Sequence, residues 1–287
     1  MRRNWSDTAD LQGDVAEPTS AAAVSDLVRA LPQALALGSA HSFSTVAVTP
    51  GVHVETAHLP REVLIAGSTA TVGAGMTYAD VGAILRDNGV ALAAMASLPH
   101  ITVGGAIATG THGSGDHIGT LSSAVTGLQI VTADGDIRWI RRETDADFAG
   151  WVVSLGALGV VTRVELAIEP TYDVAQTVFT GLDLDVVEAQ FDAIFTAATS
   201  VSECGRAVTL LEPSNARSPS IRSKHSTRCT AMSSWGARDR GVTDYPTSVQ
   251  SSHRVQGKRS RPNTSCRGHM LPRQFARCDH YMSRSRL

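Results

Sequence analysis

Residues 1–203 of this 287-residue chain contain neither lysine nor cysteine. The four cysteines all follow, and they lack the paired spacing of a zinc finger: Cys204, Cys229, Cys266 and Cys278. A first part without cysteine forms no disulfides, as is common in the cytoplasm, where thiols stay reduced. We therefore expect a cytoplasmic protein.

Features that mark several other classes of protein are missing as well. The chain has no run of about 18 apolar residues, the length that a helix needs to span a bilayer. Arg2 and Arg3 are not followed by the apolar segment of a secretory signal. The histidines of the first part lack metal-ligand spacing, and neither a P-loop nor a G-x-S-x-G nucleophile occurs. We expect no membrane association and no metal.

Charge is distributed unevenly along the chain. Up to residue 203 there are 23 acidic and 9 basic residues, whereas residues 204–287 hold 4 acidic and 16 basic ones. This last part has 14 arginines, 14 serines and no hydrophobic period, so little apolar burial offsets the entropy of ordering. We predict a disordered tail and explain its abrupt start by out-of-frame translation; a genuine basic tail is the alternative. Its aromatic residues are scattered, so we expect no nucleic-acid binding.

Hydrophobic patterns in the first part predict alternating helices and strands. Thr19 and Ser20 can both cap a helix, which ends at Pro32 and has one apolar face: Val24, Leu27, Val28 and Leu31. Thr77 caps a second helix with Asp80 in the box position, and Gly89 follows its end. Strands are predicted at 34–37, 52–56, 62–67, 69–75 and 158–168, with a hairpin at 125–140 and a helix at 145–154.

A second unit is predicted to begin after Pro170, with a strand at 172–182 and a helix at 185–200. The mixture of helices, strands and a hairpin predicts an α+β fold, that is, a mixed α/β domain.

Three segments of small residues could carry chemistry. "LGSAHSF" (37–43) places His41 on a loop, where it could be a nucleophile, a base, a metal ligand or an ordinary loop histidine. "MASLPHITVGGAIATGTHGSG" (95–115) offers backbone N–H groups that suit a pyrophosphate, although a buried glycine-rich loop is the alternative. "SLGALGVVT" (154–162) is a glycine-rich turn that leads into a strand.

Together, and in this order, the three segments resemble the FAD-binding half of the vanillyl-alcohol-oxidase (PCMH-type) flavoenzymes. The similarity is greatest to the alditol (xylitol) oxidases within the sugar-1,4-lactone oxidase group, and it extends from about Asn4 to Ser202. It implies a two-subdomain FAD-binding domain at 1–171, the start of a truncated substrate domain at 172–203, and the basic tail at 204–287.

The resemblance also implies the roles of individual residues. His41 would bond covalently to the 8α-methyl group of FAD, within a flavin loop formed by Leu37, Gly38, Ser39, Ala40, His41 and Ser42. The second segment would contact the isoalloxazine and pyrophosphate through Ser97, Thr102, Gly105, Thr109, Gly110, Thr111, His112, Gly113 and Ser114. Of these, Ser97 and Thr102 would also face the substrate, and Val160 or Val161 would lie near the adenine.

The implied reaction is oxidation of a sugar alcohol at a terminal CH–OH group, with hydride transfer to flavin N5 and reduction of O₂ to hydrogen peroxide. A D-arabinono-1,4-lactone (aldonolactone) oxidase is one alternative, and a catalytically inactive FAD-binding fragment is another. The family's substrate domain supplies a Glu/Arg pair and a His-Trp-Gly-Lys segment, neither of which occurs here. The catalytic residues and the oligomeric state are therefore left unassigned.

Overall fold

The computed structural model describes residues 2–96, 98–115, 118–180, 184–196, 200–204, 207–213, 225–231 and 250–251. The chain divides into two compact units, residues 1–113 with 118–171, and residues 114–117 with 172–287. Both units combine helices and strands, which confirms the predicted α+β class. None of the helices in the described segments is long and apolar enough to cross a membrane.

The first unit opens with a strand pair and a small parallel sheet. Its elements are β1 (Arg2–Arg3), β2 (Asp10–Leu11), β3 (Val15–Ala16), α1 (Ala21–Ala30), β4 (Ala34–Leu37) and β5 (Val52–Glu55). β1 and β2 pair with each other, while the parallel strands follow the order β3-β5-β4. The Ser20 side chain accepts a hydrogen bond from Ala23 N at 3.1 Å, so Ser20, one of the two predicted caps, begins the first helix.

A five-stranded antiparallel sheet with the strand order β10-β9-β11-β7-β6 follows. Its strands and the surrounding elements are β6 (Val63–Ala66), β7 (Thr69–Gly73), α2 (Tyr78–Asp87), β8 (Val90–Ala91), α3 (Val103–Ala108), β9 (Val125–Val131), β10 (Ile137–Arg141), α4 (Phe148–Val152), β11 (Val160–Ala167) and β12 (Glu169–Pro170). β12 pairs with β8, and short 3₁₀ turns occupy Thr45–Ala47, Thr56–His58 and Leu121–Ala124.

Two local predictions in this sheet region are confirmed. β9 and β10 form the expected hairpin, in which Val131 lies opposite Ile137. α2 begins with a complete capping box between Thr77 and Asp80, as the Thr-x-x-Asp spacing predicts.

Two helices differ from the sequence prediction. α3 lies within the glycine-rich segment 95–115, for which no regular helix is predicted. It forms because the N–H groups of Val103 and Gly104 donate to Met76 O and Ala74 O, each at 2.8 Å, and these tertiary bonds outweigh the low helix propensity of glycine. α4 is shorter than the predicted 145–154: it begins after Asp147 and ends where Val153 leaves the helical conformation (φ −98°, ψ 62°).

One continuous core holds α2 and α3 against the five-stranded sheet. Its buried side chains include Tyr78, Val81, Leu85, Val103, Ile107, Leu128 and Val164. A smaller core lies beneath α1 and joins Val24, Val54, Leu59, Val131 and Val160. The positions of α2 and α3 against this sheet fix the segments that flank them, including the loop that precedes α3.

The second unit contains a separate antiparallel sheet with the strand order β14-β15-β13-β16-β17. Its elements are β13 (Val174–Thr180), α5 (Leu184–Ala189), α6 (Phe191–Phe195), β14 (Ser200–Cys204), β15 (Ala207–Pro213), β16 (His225–Ala231) and β17 (Gln250–Ser251). The predicted helix at 185–200 is thus divided at Gln190 and ends before Thr196.

Three strands of this sheet, β15, β16 and β17, follow residue 204, in the region for which the sequence predicts a disordered tail. β15 and β16 flank β13, so the strand predicted at 172–182 receives partners from the basic region. Ladder pairing uses backbone groups, and the threonine, valine and leucine residues of these segments suit it without a hydrophobic period. Residues 232–249 and 252–287 lie outside the described residues.

Candidate functional site

The loop that carries His41 approaches the start of α3 closely. A Cβ atom at Gly38 would overlap the Thr102 hydroxyl, so any other residue would force that side chain to turn or the loop to shift. Ser39 Oγ accepts a hydrogen bond from Thr102 N at 3.4 Å. Ala40 adopts a left-handed conformation (φ 54°), which turns the chain between β4 and His41. The first two predicted segments therefore meet at Gly38, Ser39 and Thr102.

The N-terminal segment fastens the same loop from the other side. Asn4 is 5% exposed, and its Nδ2 donates to Ser42 O at 2.7 Å. Trp5 N donates to Ala40 O at 2.9 Å, and Thr8 Oγ1 donates to Phe43 O at 2.9 Å. The backbone is thus anchored on both sides of His41 by hydrogen bonds from residues 4–8.

The imidazole of His41 contacts two other rings. Trp5 stacks on it with ring centroids 4.2 Å apart and an interplanar angle of 24°. The second ring is that of His100, whose Nε2 lies 2.7 Å from His41 Nε2, within hydrogen-bond distance. Burial lowers the pKa of His41 from its ordinary 6.5, and the charge of His100 lowers it further, against a smaller opposing effect of the backbone carbonyl of His41. The ring is therefore neutral near pH 7.

The side chain of Thr102 lies at the start of α3. Thr102 is 4% exposed, and within the described part of the chain its Oγ1 is one of two buried side-chain atoms without a hydrogen-bond partner, the other being Tyr78 Oη. Burial raises the pKa of the Tyr78 phenol, so that group stays protonated. The Thr102 hydroxyl has no exposed surface, so it would have to turn about χ1 to contact a substrate.

The amides of the predicted anion-binding segment are mostly used within the protein. Thr109 N, Gly110 N and Thr111 N donate to carbonyl groups of α3, at 3.2, 3.2 and 3.0 Å. Thr109 Oγ1 donates to Gly105 O at 2.9 Å and lies 3.3 Å from Thr111 Oγ1. Because these amides and the Thr109 hydroxyl already donate within the protein, any pyrophosphate contact in this segment would fall to the Thr111 hydroxyl or to the residues that follow.

The other predicted contacts in this segment, His112, Ser114 and Ser97, differ in their exposure and in whether the structure describes them. His112 is exposed, and its Nδ1 lies 2.8 Å from Gly113 O. Ser114 is half-buried and belongs to the short segment 114–117 of the second unit, while Ser97 lies outside the described residues.

The side chains of Val160 and Val161 both lie in the interior of the first unit. Val160 packs in the smaller core beneath α1, and Val161 packs in the larger core against α2 and α3. Only their backbone could therefore approach an adenine ring.

Sequence reasoning did not assign His100, although it belongs to the quoted "LPH" segment. Its role could not be inferred from spacing, because 59 residues separate it from His41 and only the fold brings the two rings together. The resemblance begins at about Asn4, but the contacts of Asn4 and Trp5 with the His41 loop are a structural finding.

Two other groupings lie outside this site. Glu17, Glu55 and His58 place ligand atoms within 4.8 Å of one another, but Glu55 is already paired with Arg2 at 2.8 Å. A pocket of about 620 Å³ is lined by Arg2, Leu11, Gln12, Gly13, Val15 and His53. It includes none of the predicted flavin contacts.

Two observations test whether the residues around His41 suit FAD. A neutral imidazole on a half-buried loop of small residues can act as a nucleophile toward an electron-poor carbon. The buried Thr102 hydroxyl has no partner, which costs about 1–3 kcal/mol unless a ligand or a turn of the side chain supplies one. Both features fit a cofactor bound beside the His41 loop.

Comparison with known proteins agrees with this fit. Residues 14–141 match the family model described as an FAD binding domain. An alditol oxidase from a Streptomyces species is 40% identical over 194 residues, which cover 66% of this chain and 46% of that protein. The L-gulonolactone oxidase of Mus musculus is 29% identical over 194 residues, 65% of this chain and 44% of that protein.

A putative D-arabinono-1,4-lactone oxidase from Neurospora crassa is 29% identical over 183 residues, which cover 61% of this chain and 33% of that protein. The chain thus spans about half the length, or less, of these curated relatives.

Proposed function

Starting from the FAD binding domain at residues 14–141, we propose that this chain belongs to an FAD-dependent oxidase of sugar alcohols, with FAD attached covalently to His41. The alternative substrate within the same chemistry is an aldonolactone. The observation that carries the proposal is the presentation of a neutral imidazole on a loop of small residues at the start of α3.

FAD, when bound, would supply the hydride acceptor at N5 and return the electrons to O₂, which gives hydrogen peroxide. The protein's own contribution is to hold and orient. The loop Leu37–Ser42 would carry the attachment point, and the Thr111 hydroxyl would contact the polar part of the cofactor, while the Thr109 hydroxyl would do so only after releasing Gly105 O.

Thr102 would complete its hydrogen bonding at the cofactor or the substrate, together with Ser97. A group that is buried without a partner is a natural place for a ligand atom.

We favour a polyol over a lactone because the alditol oxidase is 40% identical and the two lactone oxidases are each 29% identical. This difference in identity is measured over the whole aligned region and does not compare the residues that select the substrate.

Flavin attachment tests the first half of the proposal. The full chain is expressed with riboflavin, precipitated with acid and examined for yellow colour and flavin fluorescence in the pellet. We expect the flavin to remain with the parent chain and to be absent from the His41→Ala pellet. The control is His53→Ala, because His53 is buried and its Nε2 is paired with Ala47 O at 2.8 Å. An acid-stable flavin on His41→Ala would contradict the attachment.

Peroxide release tests the second half. The flavin-loaded chain is mixed with xylitol, sorbitol or an aldonolactone in the presence of O₂, and hydrogen peroxide is measured. Faster release with the polyols than with the lactone supports the proposed substrate class, and the reverse order would replace it with the lactone.

A second candidate is an FAD-binding fragment without turnover. The change of composition at residue 204 favours it, because the segments that the family uses to position substrate have no counterpart in the residues that follow. Complete flavin attachment without peroxide from any of these substrates would support this candidate. Sequencing the gene across codons 200–205 and reading the other frames would then test the out-of-frame hypothesis.

A further inference from the structure

The contact between His41 and His100 leaves room for a single proton between the two Nε2 atoms. The two Nε2 atoms are 2.7 Å apart, with ring centroids at 4.7 Å and an interplanar angle of 55°. At this distance one nitrogen must donate and the other must accept, since two N–H groups would collide. Either His41 Nε2 carries the proton and its Nδ1 has a lone pair, or the reverse tautomers are present.

Both rings are held by backbone contacts that do not depend on the pair itself. The residues on either side of His100 are tied to the first turn of α2, where Ala79 N donates to Pro99 O at 2.8 Å and Tyr78 N donates to Ile101 O at 3.1 Å. The His41 loop is held through Trp5 N and Ala40 O. The short distance therefore follows from two anchored segments, one in the His41 loop and one before α3.

We propose that His100 is the proton acceptor for covalent flavin attachment: it takes the Nε2 proton of His41 while His41 Nδ1 forms the bond to the flavin 8α-methyl carbon. The proposal rests on the attachment at His41 proposed above. It assigns to His100 a role that acts through His41: His100 contacts the reacting histidine and not the cofactor.

The attachment balances with the oxidant that the proposed function already uses. One C–H bond of the methyl group is replaced by a C–N bond to the imidazole, and two protons and two electrons leave. The electrons reduce the flavin, and O₂ takes them together with two protons to form one hydrogen peroxide. One of the two protons is the Nε2 proton of His41. If it stayed, the ring of the newly attached histidine would be cationic.

The surroundings of the pair suit this transfer. His100 is exposed, so the proton it accepts can pass to water. His41 is half-buried and stacked on Trp5, which holds the plane of its ring, and its Nε2 faces His100. The lowered pKa of His41 agrees with this arrangement, because a ring that is neutral before attachment has a lone pair with which to form the bond.

The test measures attachment and not turnover. Apo-protein of the full chain is mixed with FAD in air, and covalent flavin is followed by acid precipitation and by intact mass. His100→Gln retains a hydrogen-bond acceptor but no base, His100→Ala leaves space for added imidazole, and His58→Gln is the matched control on an exposed histidine elsewhere. Non-covalent FAD affinity and thermal unfolding are measured on every variant.

We expect attachment to His100→Gln to be about a hundredfold slower than to the parent, in line with the loss of a proton-accepting group, with unchanged FAD affinity. Imidazole should restore the rate for His100→Ala but not for the parent or for His58→Gln. A His100→Gln rate equal to the parent's would overturn the proposal and leave the attachment at His41 intact. If both His100 variants lose rate and imidazole does not restore the rate of His100→Ala, the role is structural and the proposal is also wrong.

A parent chain that binds FAD without any covalent flavin would overturn the attachment and this inference together. A parent chain that binds no FAD at all would overturn the proposed function itself. The parent measurement therefore separates a failure of the proposed function from a failure of the role of His100.

Discussion

Residues 1–171 and residues 204–287 differ in composition and in how far their structure follows from their sequence. The earlier region has apolar residues at helical and strand periods, and the helices, strands and hairpin predicted from them form around buried cores. The later region has no such period, yet β15 and β16 pair with β13. The comparison teaches that a period predicts which face is buried, whereas ladder pairing can occur without one.

Amide hydrogen exchange gives the largest expected contrast between the two regions. We expect the amides of β9 and β11 to exchange at least about tenfold more slowly than those of β15 and β16, because β9 and β11 cover a buried apolar core and the sequence after residue 203 has no hydrophobic period. Exchange followed by mass spectrometry of peptides makes the comparison within one sample. Equal protection in both regions would contradict the out-of-frame hypothesis, since a random continuation would not form a stable sheet.

A glycine in the turn before β11 should be indispensable to the first region. Gly159 has φ +141°, and a Cβ there would overlap Val131 O in the neighbouring strand. We expect Gly159→Ala to lower the free energy of unfolding by at least about 2 kcal/mol. Gly150→Ala is the matched control, because Gly150 lies in α4 with nothing within 4 Å of its Cβ position. Urea unfolding compares the two variants, and equal midpoints would disprove the strain.

The anchoring of the His41 loop should depend on Asn4. Asn4→Ala removes the bond to Ser42 O and two bonds that its Oδ1 accepts, from Thr8 N and Ala9 N. We expect a loss of about 1–3 kcal/mol in unfolding free energy, together with slower flavin attachment. Asn88→Ala, which removes one exposed bond to Ile84 O, is the control and should change neither quantity appreciably. Normal attachment to Asn4→Ala would show that the loop is held by other contacts.

Removing the buried hydroxyl of Thr102 should have opposite effects on the stability of the apo-protein and on its affinity for FAD. Thr102→Val keeps the shape of the side chain and removes an oxygen that has no partner, so the apo-protein should be unchanged or more stable by up to about 1 kcal/mol. If the hydroxyl completes its bonding at FAD, the same variant should bind FAD more weakly. Thermal unfolding with and without FAD measures both effects. A variant that is less stable in both states would mean that the hydroxyl has a partner in the protein.

The smallest effect concerns pH. Since the folded pKa of His41 lies below 6.5, the unfolded chain binds the proton more readily, and this contribution to stability is present above pH 6.5 and is lost as the pH falls through the folded pKa. The unfolding free energy of His41→Gln should therefore fall less steeply than that of the parent below pH 6.5. Unfolding curves between pH 5 and 8 make the test, and parallel slopes would contradict the lowered pKa.

The fold of the first region could be predicted to the extent that local signals decide it. The capping box of α2 and the β9–β10 hairpin depend on a few neighbouring residues, and both predictions are confirmed. α3 could not be predicted, because its first amides are satisfied by Met76 O and Ala74 O, which are distant in sequence.

The candidate site shows the same division. His41 and Thr102 could be named from their loops and from the resemblance, and the fold brings those loops into contact. The pairing of His41 with His100 could not, because it depends on α2 holding the segment before α3. A residue that acts by contact with another is visible only once the distance between them is known.

The most direct test of the central claim is to locate the flavin on the chain. Full-length protein incubated with FAD in air is digested with trypsin, and the flavin-bearing peptide is fragmented in a mass spectrometer. Cleavage after Arg29 and Arg61 gives a peptide, residues 30–61, that contains His41, His53 and His58, so fragmentation must assign the residue. The account predicts the flavin on His41 alone. Flavin on another residue, or flavin that acid removes completely, would contradict it.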